Sequence, residues 1–248
     1  MFDRERVSGA AYLPPWVRHE HMARYRFAAG FVHGKRVIDA ASGDGSGAAI
    51  FAQSGAEQVD AFDVSAESVE QARAKHPLQN LSFHVGSVLS LPVAKRTADV
   101  FISLETIEHL DADREFLSEV DRVLKPDGVF ICSTPNRLVT NPGARLSDRP
   151  WNRFHVREYS LSEFRGLLAE RFAKVEFWGQ NAHSRRRVQA MQRLAATLPR
   201  RIPLGINQAL KLPRLLVDRP DRHRVVEMQP SRDYEYCVAV CRAPRIAT

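Results

Sequence analysis

The chain has 248 residues, of which 44% are hydrophobic and 26% are charged, values typical of a globular protein. The length allows one decorated domain or two, and the composition excludes a fibrous repeat and a wholly disordered chain. The 36 basic and 29 acidic residues give a net charge of +7, but residues 181–230 alone hold eleven basic and three acidic ones. A basic segment beside a neutral body argues against a body that binds nucleic acid.

The sequence shows no export or membrane signal. No apolar run approaches the about 18–20 residues that a membrane span needs. Residues 1–6 are largely charged and lack the apolar core of a signal peptide. The three cysteines, Cys132, Cys237 and Cys241, form no C-x-x-C pair. We therefore expect a cytoplasmic protein whose thiols are reduced and lie in the core.

Short apolar runs alternate with helical patterns through most of the chain, which predicts an α/β fold. Alternation at this pitch gives a Rossmann-like, doubly wound sheet, mainly parallel, with helices on both faces. In chain order we expect a helix at 19–30, a strand at 36–40, a helix at 46–54, a strand at 58–62, a helix at 66–76, strands at 81–85 and 99–104, a helix at 113–125, a strand at 128–133, a helix at 161–170 and strands at 173–178 and 235–241, which makes seven strands.

A loop of small residues follows the first predicted strand. The strand ends at Asp39, and the run from Asp39 to Gly47 reads DAASGDGSG. Small residues let the backbone come close to a ligand, and the next helix would begin with unpaired N–H groups. Asp63 follows the second strand, 24 positions after Asp39, where a carboxylate can accept both hydroxyls of a ribose. The pattern predicts a nucleoside site.

The loop chemistry narrows the choice of nucleoside. The glycine spacing differs from the dinucleotide fingerprint, and the loop has no phosphate-binding lysine. The Asp39 carboxylate would repel a pyrophosphate but would suit a ligand with an ammonium or sulfonium charge. We therefore expect S-adenosylmethionine as the cofactor. A nicotinamide-dependent oxidoreductase is the rival enzyme class.

With these motifs the chain resembles the class I S-adenosylmethionine-dependent methyltransferases. The resemblance rests on the Asp39–Gly47 loop, on Asp63, and on residues 86–92 (GSVLSLP) and 124–128 (LKPDG). It covers nearly the whole chain outside residues 181–230. It implies a mostly parallel sheet with one antiparallel strand and a helical insertion before the last strand.

The resemblance also implies roles for single residues at the cofactor. Gly43 would approach the methionine portion, Asp63 would hold the ribose, and Ser87 and Val88 would flank the adenine. Ala41 stands where the family usually has its first glycine, and Ser87 stands where an aspartate usually contacts the adenine amine. The remaining expected cofactor contacts are Asp39, Ala41, Gly45, Val64 and Leu104.

Residues 20–26 resemble the first helix of bacterial members found beside sugar-transfer genes. An arginine or aromatic residue there can cover the carboxylate end of the cofactor, which nominates Arg24 and Tyr25. The alternative is a surface arginine beside a packed tyrosine.

The segment after the fourth strand is the candidate for chemistry on the acceptor. Glu105, Glu108 and His109 follow the E-x-x-E-H pattern of the ubiquinone-pathway O-methyltransferases, which by resemblance can hold a divalent cation such as Mg²⁺. In the metal-free alternative, His109 is a general base that Glu108 orients and makes more basic. Glu105 alone could instead cap a helix. We also place Glu105 at the acceptor.

A second cluster follows the fifth strand and a loop-like stretch. His155 is a second candidate base, and Asn136 is a candidate acceptor contact. Trp151 and Tyr159 could stack on a sugar ring. The alternative is a loop that uses these aromatic residues to pin itself in place.

The basic segment is read as an amphipathic helical insertion broken by Pro199, Pro203 and Pro213. It could be a lid over the acceptor, a peripheral membrane contact through residues 185–224, or an oligomer contact; we favour the lid. Nucleic-acid binding is disfavoured because no aromatic platform accompanies the arginines. The expected division is a cofactor-covering helix at 1–34, a methyltransferase core at 35–180, the insertion at 181–230, and a last strand and tail at 231–248.

The sequence therefore predicts O-methylation of a saccharide or glycosylated small natural product. The alternatives are methylation of a lipid-linked acceptor at a membrane surface, methylation of RNA, and a non-catalytic adaptor that kept the fold.

Overall fold

A computed structural model describes residues 15–197 and 223–244 of the chain. Its elements in chain order are α1 (Pro15–Ala29), β1 (Arg36–Ala40), α2 (Ser46–Gln53), β2 (Gln58–Asp63), α3 (Ala66–Lys75), β3 (Leu81–Val85), β4 (Ala98–Leu104), a 3-10 turn (Ile107–His109), α4 (Asp113–Val123), β5 (Leu124–Pro135), α5 (Arg137–Thr140), α6 (Leu161–Ala169), β6 (Phe172–Ser184), α7 (Arg185–Thr197), β7 (Val226–Glu227) and β8 (Arg232–Pro244).

All the strands join one sheet in the order β3-β2-β1-β4-β5-β8-β6-β7. The first five strands of the chain pair in parallel, and β8 is antiparallel to both β5 and β6. The order reverses between β1 and β4, because β1 pairs with β2 on one side and with β4 on the other. In open α/β sheets a ligand crevice forms outside the carboxyl ends of the strands at such a reversal.

Hydrophobic side chains cover the sheet on both faces. One cluster joins α4 and α6 to the sheet through residues such as Phe116, Phe130 and Phe164. The other joins α1, α2 and α3 through residues such as Phe51 and Val69. Alternate residues of a strand point to opposite faces, so the central parallel strands are apolar along their whole length.

Local sequence signals fix where two helices begin. The Ser65 hydroxyl accepts a hydrogen bond from the Ser68 amide at 3.2 Å and caps α3. Ser160 and Glu163 form a reciprocal capping box at the start of α6. Such caps satisfy amide groups that the first turn of a helix leaves unpaired.

The expected Rossmann-like α/β fold is confirmed, but the sheet has eight strands rather than seven. The additional strand, β7, is a two-residue edge strand antiparallel to β6, too short to leave a periodic pattern. Two strands, β7 and β8, therefore run against the others, where one was expected. The strands at the end of the chain are also longer than predicted, because β6 and β8 pair with each other from Phe172 to Ser184.

The first part of the expected insertion is the helix α7, with Val188 buried on its inner face. The expected breaks at Pro199, Pro203 and Pro213 lie outside the described residues. All three cysteine side chains are buried and are not joined in disulfides. Within the two described stretches, the helices are too short or too polar to cross a membrane.

Candidate active site

A cavity of about 700 Å³ opens at the carboxyl ends of β1 to β5. The loops that follow these strands line it, together with residues of α1 and β8. The predicted site residues that line it are Tyr25, Ala41, Gly43, Asp63, Val64, Ser87, Val88, Leu104, Glu105, Glu108, His109, Trp151 and His155.

The loop after β1 is a tight turn with little room for side chains. Ala41, Gly43 and Gly45 have positive φ angles of 65°, 55° and 76°. A Cβ on Gly43 would meet no atom within 4 Å, whereas one on Gly45 would lie 2.6 Å from the Phe83 ring. Gly43 therefore leaves the cavity side of the loop open, while Gly45 packs the loop against the sheet.

Asp63 connects this loop to the second strand. Its carboxylate accepts hydrogen bonds from the Gly43 amide and from the Ser65 amide, both at 2.9 Å. The side chain is 6% exposed and lines the cavity. A carboxylate oxygen can accept more than one hydrogen bond, so Asp63 can hold the loop and still accept from a ligand hydroxyl.

Asp39 lies beneath the loop rather than on the cavity lining. It is 2% exposed, and its Oδ2 atom is buried without a hydrogen-bond partner among the described residues. Burial, together with the charges of Asp63 and Asp44, raises the pKa of Asp39 to about 7. A buried carboxylate that lacks a partner is stabilised by a nearby positive charge.

α1 contributes residues both to the cavity lining and to the protein interior. Val17, His21 and Tyr25 line the cavity. Burial and the charge of Arg24 lower the pKa of His21 to about 3, so its imidazole is neutral. Arg24 is fully buried; it donates to the Gln180 side chain, and its Nε atom lies 3.7 Å from Glu105 Oε1.

Glu105 follows β4 in a left-handed backbone conformation, with φ at 54°. Its Oε1 atom accepts a hydrogen bond from the Ser133 hydroxyl at 2.6 Å, and its amide donates to the Ser133 carbonyl at 3.2 Å. These contacts, with Arg24, fix Glu105 against β5. A helix-capping role is not seen.

Glu108, His109 and His155 come together on the cavity lining. Their ligand atoms lie within 4.8 Å of one another. The Glu108 side chain is fully buried; its Oε2 accepts from the Thr134 hydroxyl at 3.1 Å, while its Oε1 has no hydrogen-bond partner among the described residues. Burial and the charge of Glu105 raise the pKa of Glu108.

His109 is oriented by the loop that follows β5. Its Nδ1 atom lies 3.0 Å from the Phe154 carbonyl oxygen, and the Glu108 carbonyl accepts from the Val156 amide at 2.8 Å. A carbonyl oxygen can only accept, so Nδ1 carries the proton and the lone pair of the neutral ring is on Nε2. That tautomer is the one that can act as a base through Nε2.

His155 uses both ring nitrogens within the protein. Nδ1 lies 2.7 Å from Glu158 Oε1, and Nε2 lies 2.9 Å from the Asn152 amide nitrogen. Burial alone would raise the pKa of Glu158, but hydrogen bonds from His155, Thr140 and Asn141 outweigh it and lower that pKa. His155 therefore orders the loop, with its ring edge-on to His109 at 4.8 Å between centroids.

Five predicted site residues do not line the cavity: Arg24, Asp39, Gly45, Asn136 and Tyr159. Asn136 caps α5 through the Leu138 amide and donates to the Tyr234 carbonyl at 3.0 Å. Tyr159 is 3% exposed, and its hydroxyl donates to Asp113 at 2.7 Å. Stacking of Tyr159 on a sugar is excluded in this arrangement, because its ring packs in the core beside Phe164.

The cavity also contains residues that the sequence did not single out. The spacing of Asn152, His155 and Glu158 by three residues was a usable signal for their cluster. Glu235 and Tyr236 carry no local signal, because β8 reaches the site only by pairing with β5 and β6. The additional lining residues are Val17, His21, Ser42, Gly86, Leu89, Thr106, Leu110, Pro135, Thr140, Asn141, Asn152, Phe154, Glu158, Glu235 and Tyr236.

Comparisons with known proteins agree with this architecture. Residues 38–132 match the family described as "Methyltransferase domain". A Mycolicibacterium smegmatis protein named "Probable S-adenosylmethionine-dependent methyltransferase" is 35% identical over 170 residues, which are 68% of this chain and 63% of that protein. A fatty-acid O-methyltransferase of the same species is 27% identical over 139 residues, which are 55% of this chain and 51% of that protein. The chain thus spans less than two thirds of the length of these relatives.

Among solved structures, a chain of the Haloferax volcanii complex that contains the Trm112 methyltransferase activator superposes with a TM-score of 0.63 at 20% identity, over 99% of both chains. At that identity the likeness concerns the fold. The matched residues include the last three residues of β1, the small-residue loop, Asp63, β4 and Glu105 after it. Residues 38–132 and the sheet built on them are therefore a class I S-adenosylmethionine-dependent methyltransferase domain.

Proposed function

We propose that this protein is an O-methyltransferase that acts on a hydroxyl of a saccharide or another small natural product. The observation that carries the proposal is the arrangement of one cavity. Gly43 and Asp63 line the same cavity as the oriented imidazole of His109. Such a cavity can hold a nucleoside donor and a hydroxyl acceptor together.

The cofactor end fits S-adenosylmethionine on three counts. Gly43 leaves space where the backbone must approach the ligand, and Asp63 offers a buried carboxylate to the ribose hydroxyls. The unpartnered Oδ2 of Asp39 lies behind the same loop and suits a positively charged donor. Ser87 and Val88 lie on the wall where we expect the adenine.

His109 is the proposed general base. The bound cofactor supplies a methyl group on a positively charged sulfur, and that group is already activated for transfer. His109 Nε2 would take the proton from the acceptor hydroxyl as the oxygen bonds to the methyl carbon; the carbon–sulfur bond would break in the same step, with neutral S-adenosylhomocysteine as the leaving group. The Phe154 carbonyl holds the ring in the required tautomer, and the resulting imidazolium remains hydrogen-bonded there.

Trp151 supports a saccharide as acceptor. Its ring lines the mouth of the cavity and is 48% exposed, so one face is available to stack on a sugar. The amide of Asn141 and the hydroxyl of Thr140 lie on the same wall and are polar groups of the kind that hydroxyls contact.

The test is transfer of a labelled methyl group from S-adenosylmethionine to a panel of hydroxylated acceptors, free and lipid-linked saccharides included. Calorimetry with S-adenosylhomocysteine provides a readout that needs no acceptor. We expect micromolar binding of the cofactor product and methyl transfer to at least one acceptor class. Absence of binding to both the donor and its product would refute the proposal.

A divalent cation at the acceptor end is the second candidate for the same cavity. The cluster that supports it is Glu108, His109 and His155, and Glu105 lies outside that cluster against Ser133. Two imidazoles and one carboxylate are a donor set for a transition metal more than for Mg²⁺. Both histidines have Nδ1 held by an oxygen, as in many metal sites. His155 Nε2 is contacted by the Asn152 amide at 2.9 Å, so ligation through that atom requires this contact to open.

Chelation separates the two candidates. If a cation is needed, treatment with a chelator abolishes methyl transfer, and Mn²⁺, Zn²⁺ or Mg²⁺ restores it. If His109 acts alone as the base, the chelated protein retains full activity.

A further inference from the structure

The surface beside the cavity is rich in arginine. The loop of residues 141–157 and the helix α7 together contain eight arginines and one aspartate. Removing these nine from the 36 basic and 29 acidic residues of the chain leaves 28 of each. The two segments together therefore carry a charge of +7, and residues 198–222 add six basic and two acidic side chains.

The two segments form one continuous surface. The Gly143 amide donates to the Gln192 side chain at 2.8 Å, and the Gln192 amide donates to the Leu138 carbonyl. A Cβ on Gly143 would lie 2.8 Å from the Ala195 Cβ. The other side of the loop borders the cavity through Asn141 and Trp151. The loop thus lies between α7 and the mouth of the cavity.

Most of these arginines have no acidic partner. Arg157 pairs with Asp113 and Arg185 pairs with Asp233. The other six are exposed and form no ion pair with any residue in the described stretches: Arg145, Arg149, Arg153, Arg186, Arg187 and Arg193. Asp148 is bound to the Arg145 backbone amide at 2.8 Å, within its own turn. Unpaired cations at this density favour an anionic partner.

Large apolar side chains are exposed among the arginines. Leu146 is 38% exposed, Trp151 is 48% exposed and Leu194 is 53% exposed. A soluble anion would make no favourable apolar contact with these side chains. At a bilayer surface, leucine and tryptophan can insert at the level of the headgroups and add to the binding free energy. Arginine together with exposed leucine and tryptophan is typical of a protein surface that binds at the interface between membrane and water.

We propose that residues 141–157 and α7 dock this protein on an anionic lipid bilayer, with the cavity mouth turned toward the headgroups. This rests on the proposed function, because it makes the acceptor a membrane-anchored molecule whose hydroxyl-bearing headgroup enters beside Trp151. The similarity to a fatty-acid O-methyltransferase agrees with an acceptor that has an acyl chain.

The test is flotation of the full chain with vesicles of phosphatidylcholine alone and with vesicles that contain about 30% phosphatidylglycerol. We expect binding to the anionic vesicles, none to the neutral ones, and loss of binding between about 0.1 M and about 0.5 M salt. Equal binding to both kinds of vesicle, or to neither, overturns the proposal.

Matched variants locate the surface. Arg186→Glu/Arg187→Glu and Arg145→Glu/Arg149→Glu should each weaken vesicle binding by at least about tenfold. The control is Lys35→Glu/Lys95→Glu, which changes the net charge by the same amount. Both lysines are exposed and precede β1 and β4, at the edge of the sheet opposite the cavity. Leu146→Ser/Leu194→Ser should also weaken binding, although it leaves the charge unchanged. If the control loses as much binding as the arginine variants, the assignment of the surface is wrong.

Two further measurements distinguish docking on a bilayer from the proposed methyltransferase function and from RNA binding. S-adenosylhomocysteine affinity, measured for every variant, should match the wild type; vesicle binding without affinity for this ligand would refute the proposed function alone. A single-stranded RNA that binds more tightly than the anionic vesicles, with the same dependence on the arginines, would overturn the bilayer as the partner.

Discussion

At the scale of single residues, His109 is held in a useful orientation by a partner 45 positions away in the chain. The Phe154 carbonyl fixes the proton on Nδ1 and directs the lone pair of the neutral ring to Nε2. We expect His109→Gln to lower kcat by roughly 10²–10⁴-fold, the usual loss when a general base is removed. The affinity for S-adenosylhomocysteine should stay the same, because we assign His109 to the acceptor and not to the cofactor.

The measurement is steady-state kinetics beside calorimetry for the same variant. His33→Gln, at an exposed histidine before β1, is the matched control and should behave as the wild type. A His109→Gln protein with normal kcat would remove His109 from the chemistry.

The raised pKa of Asp39 predicts how the affinity for S-adenosylmethionine changes with pH. Its pKa is raised to about 7 by burial and by Asp63 and Asp44, so it is largely protonated in the free protein at pH 6. A positively charged donor favours the ionised carboxylate. Binding therefore releases a proton, and affinity for S-adenosylmethionine should rise as the pH increases from about 5.5 to 7, by up to about tenfold per pH unit.

Calorimetry in buffers of different ionisation enthalpy measures the released proton directly. Asp39→Asn should bind more weakly and with no such pH dependence. The raised pKa of Asp39 has the opposite effect on the free energy of unfolding. Below the unfolded pKa of about 3.8 the carboxyl group is neutral in both states, and its burial costs least. As the pH rises from there toward 7, the unfolded state ionises first and the free energy of unfolding falls. An affinity that does not change with pH would show that Asp39 stays ionised in the free protein.

At the scale of elements, the contact between α1 and α2 shapes the cofactor end of the cavity. Gly47, in the first turn of α2, faces the Tyr25 ring, and a Cβ at Gly47 would lie 2.3 Å from that ring. Gly47→Ala should displace Tyr25 from the cavity wall and lower the free energy of unfolding by about 1–3 kcal/mol. It should also weaken the binding of S-adenosylhomocysteine.

Gly166→Ala is the matched control, because a Cβ at this helical glycine of α6 meets no atom within 4 Å. It should stabilise the protein by about 0.5–1 kcal/mol. Adding Tyr25→Ala to Gly47→Ala should recover part of the lost stability, since the clash is removed. A destabilisation that the double variant does not relieve would place the strain elsewhere.

At the scale of the whole molecule, ligand binding should stabilise the entire fold. The cavity is built by loops from five strands and by α1, so a bound ligand contacts segments that are distant in the chain. At about 100 times its Kd, S-adenosylhomocysteine should add about 2.7 kcal/mol to the free energy of unfolding. For a domain of this size that corresponds to an increase in Tm of roughly 5–10 °C.

Differential scanning fluorimetry measures the shift. NAD at the same concentration is the control and should leave Tm unchanged, because the loop after β1 has no dinucleotide spacing and Asp39 lies behind it. A shift with NAD and none with S-adenosylhomocysteine would favour the oxidoreductase alternative.

The sequence determined the elements and their order with good accuracy. The predicted strands at 36–40 and 81–85 agree with β1 and β3 residue for residue, and the helix predicted at 66–76 ends one residue early as α3. Apolar periodicity and capping residues are local signals, so they can be identified in a single sequence. The loop glycines and Asp63 were likewise predictable, because they follow directly from the end of a strand.

Tertiary structure alone decided which of the candidate residues line the cavity. Asp39 and Arg24 have the charges that a cofactor site needs, yet folding places both beneath the wall of the cavity. Tyr159 carries the same aromatic signal as Trp151, but its hydroxyl is bound to Asp113 in the core. Whether a side chain faces the cavity or the core depends on contacts between segments that are distant in the chain. Residue type and spacing are local properties of the sequence, so they do not reveal those contacts.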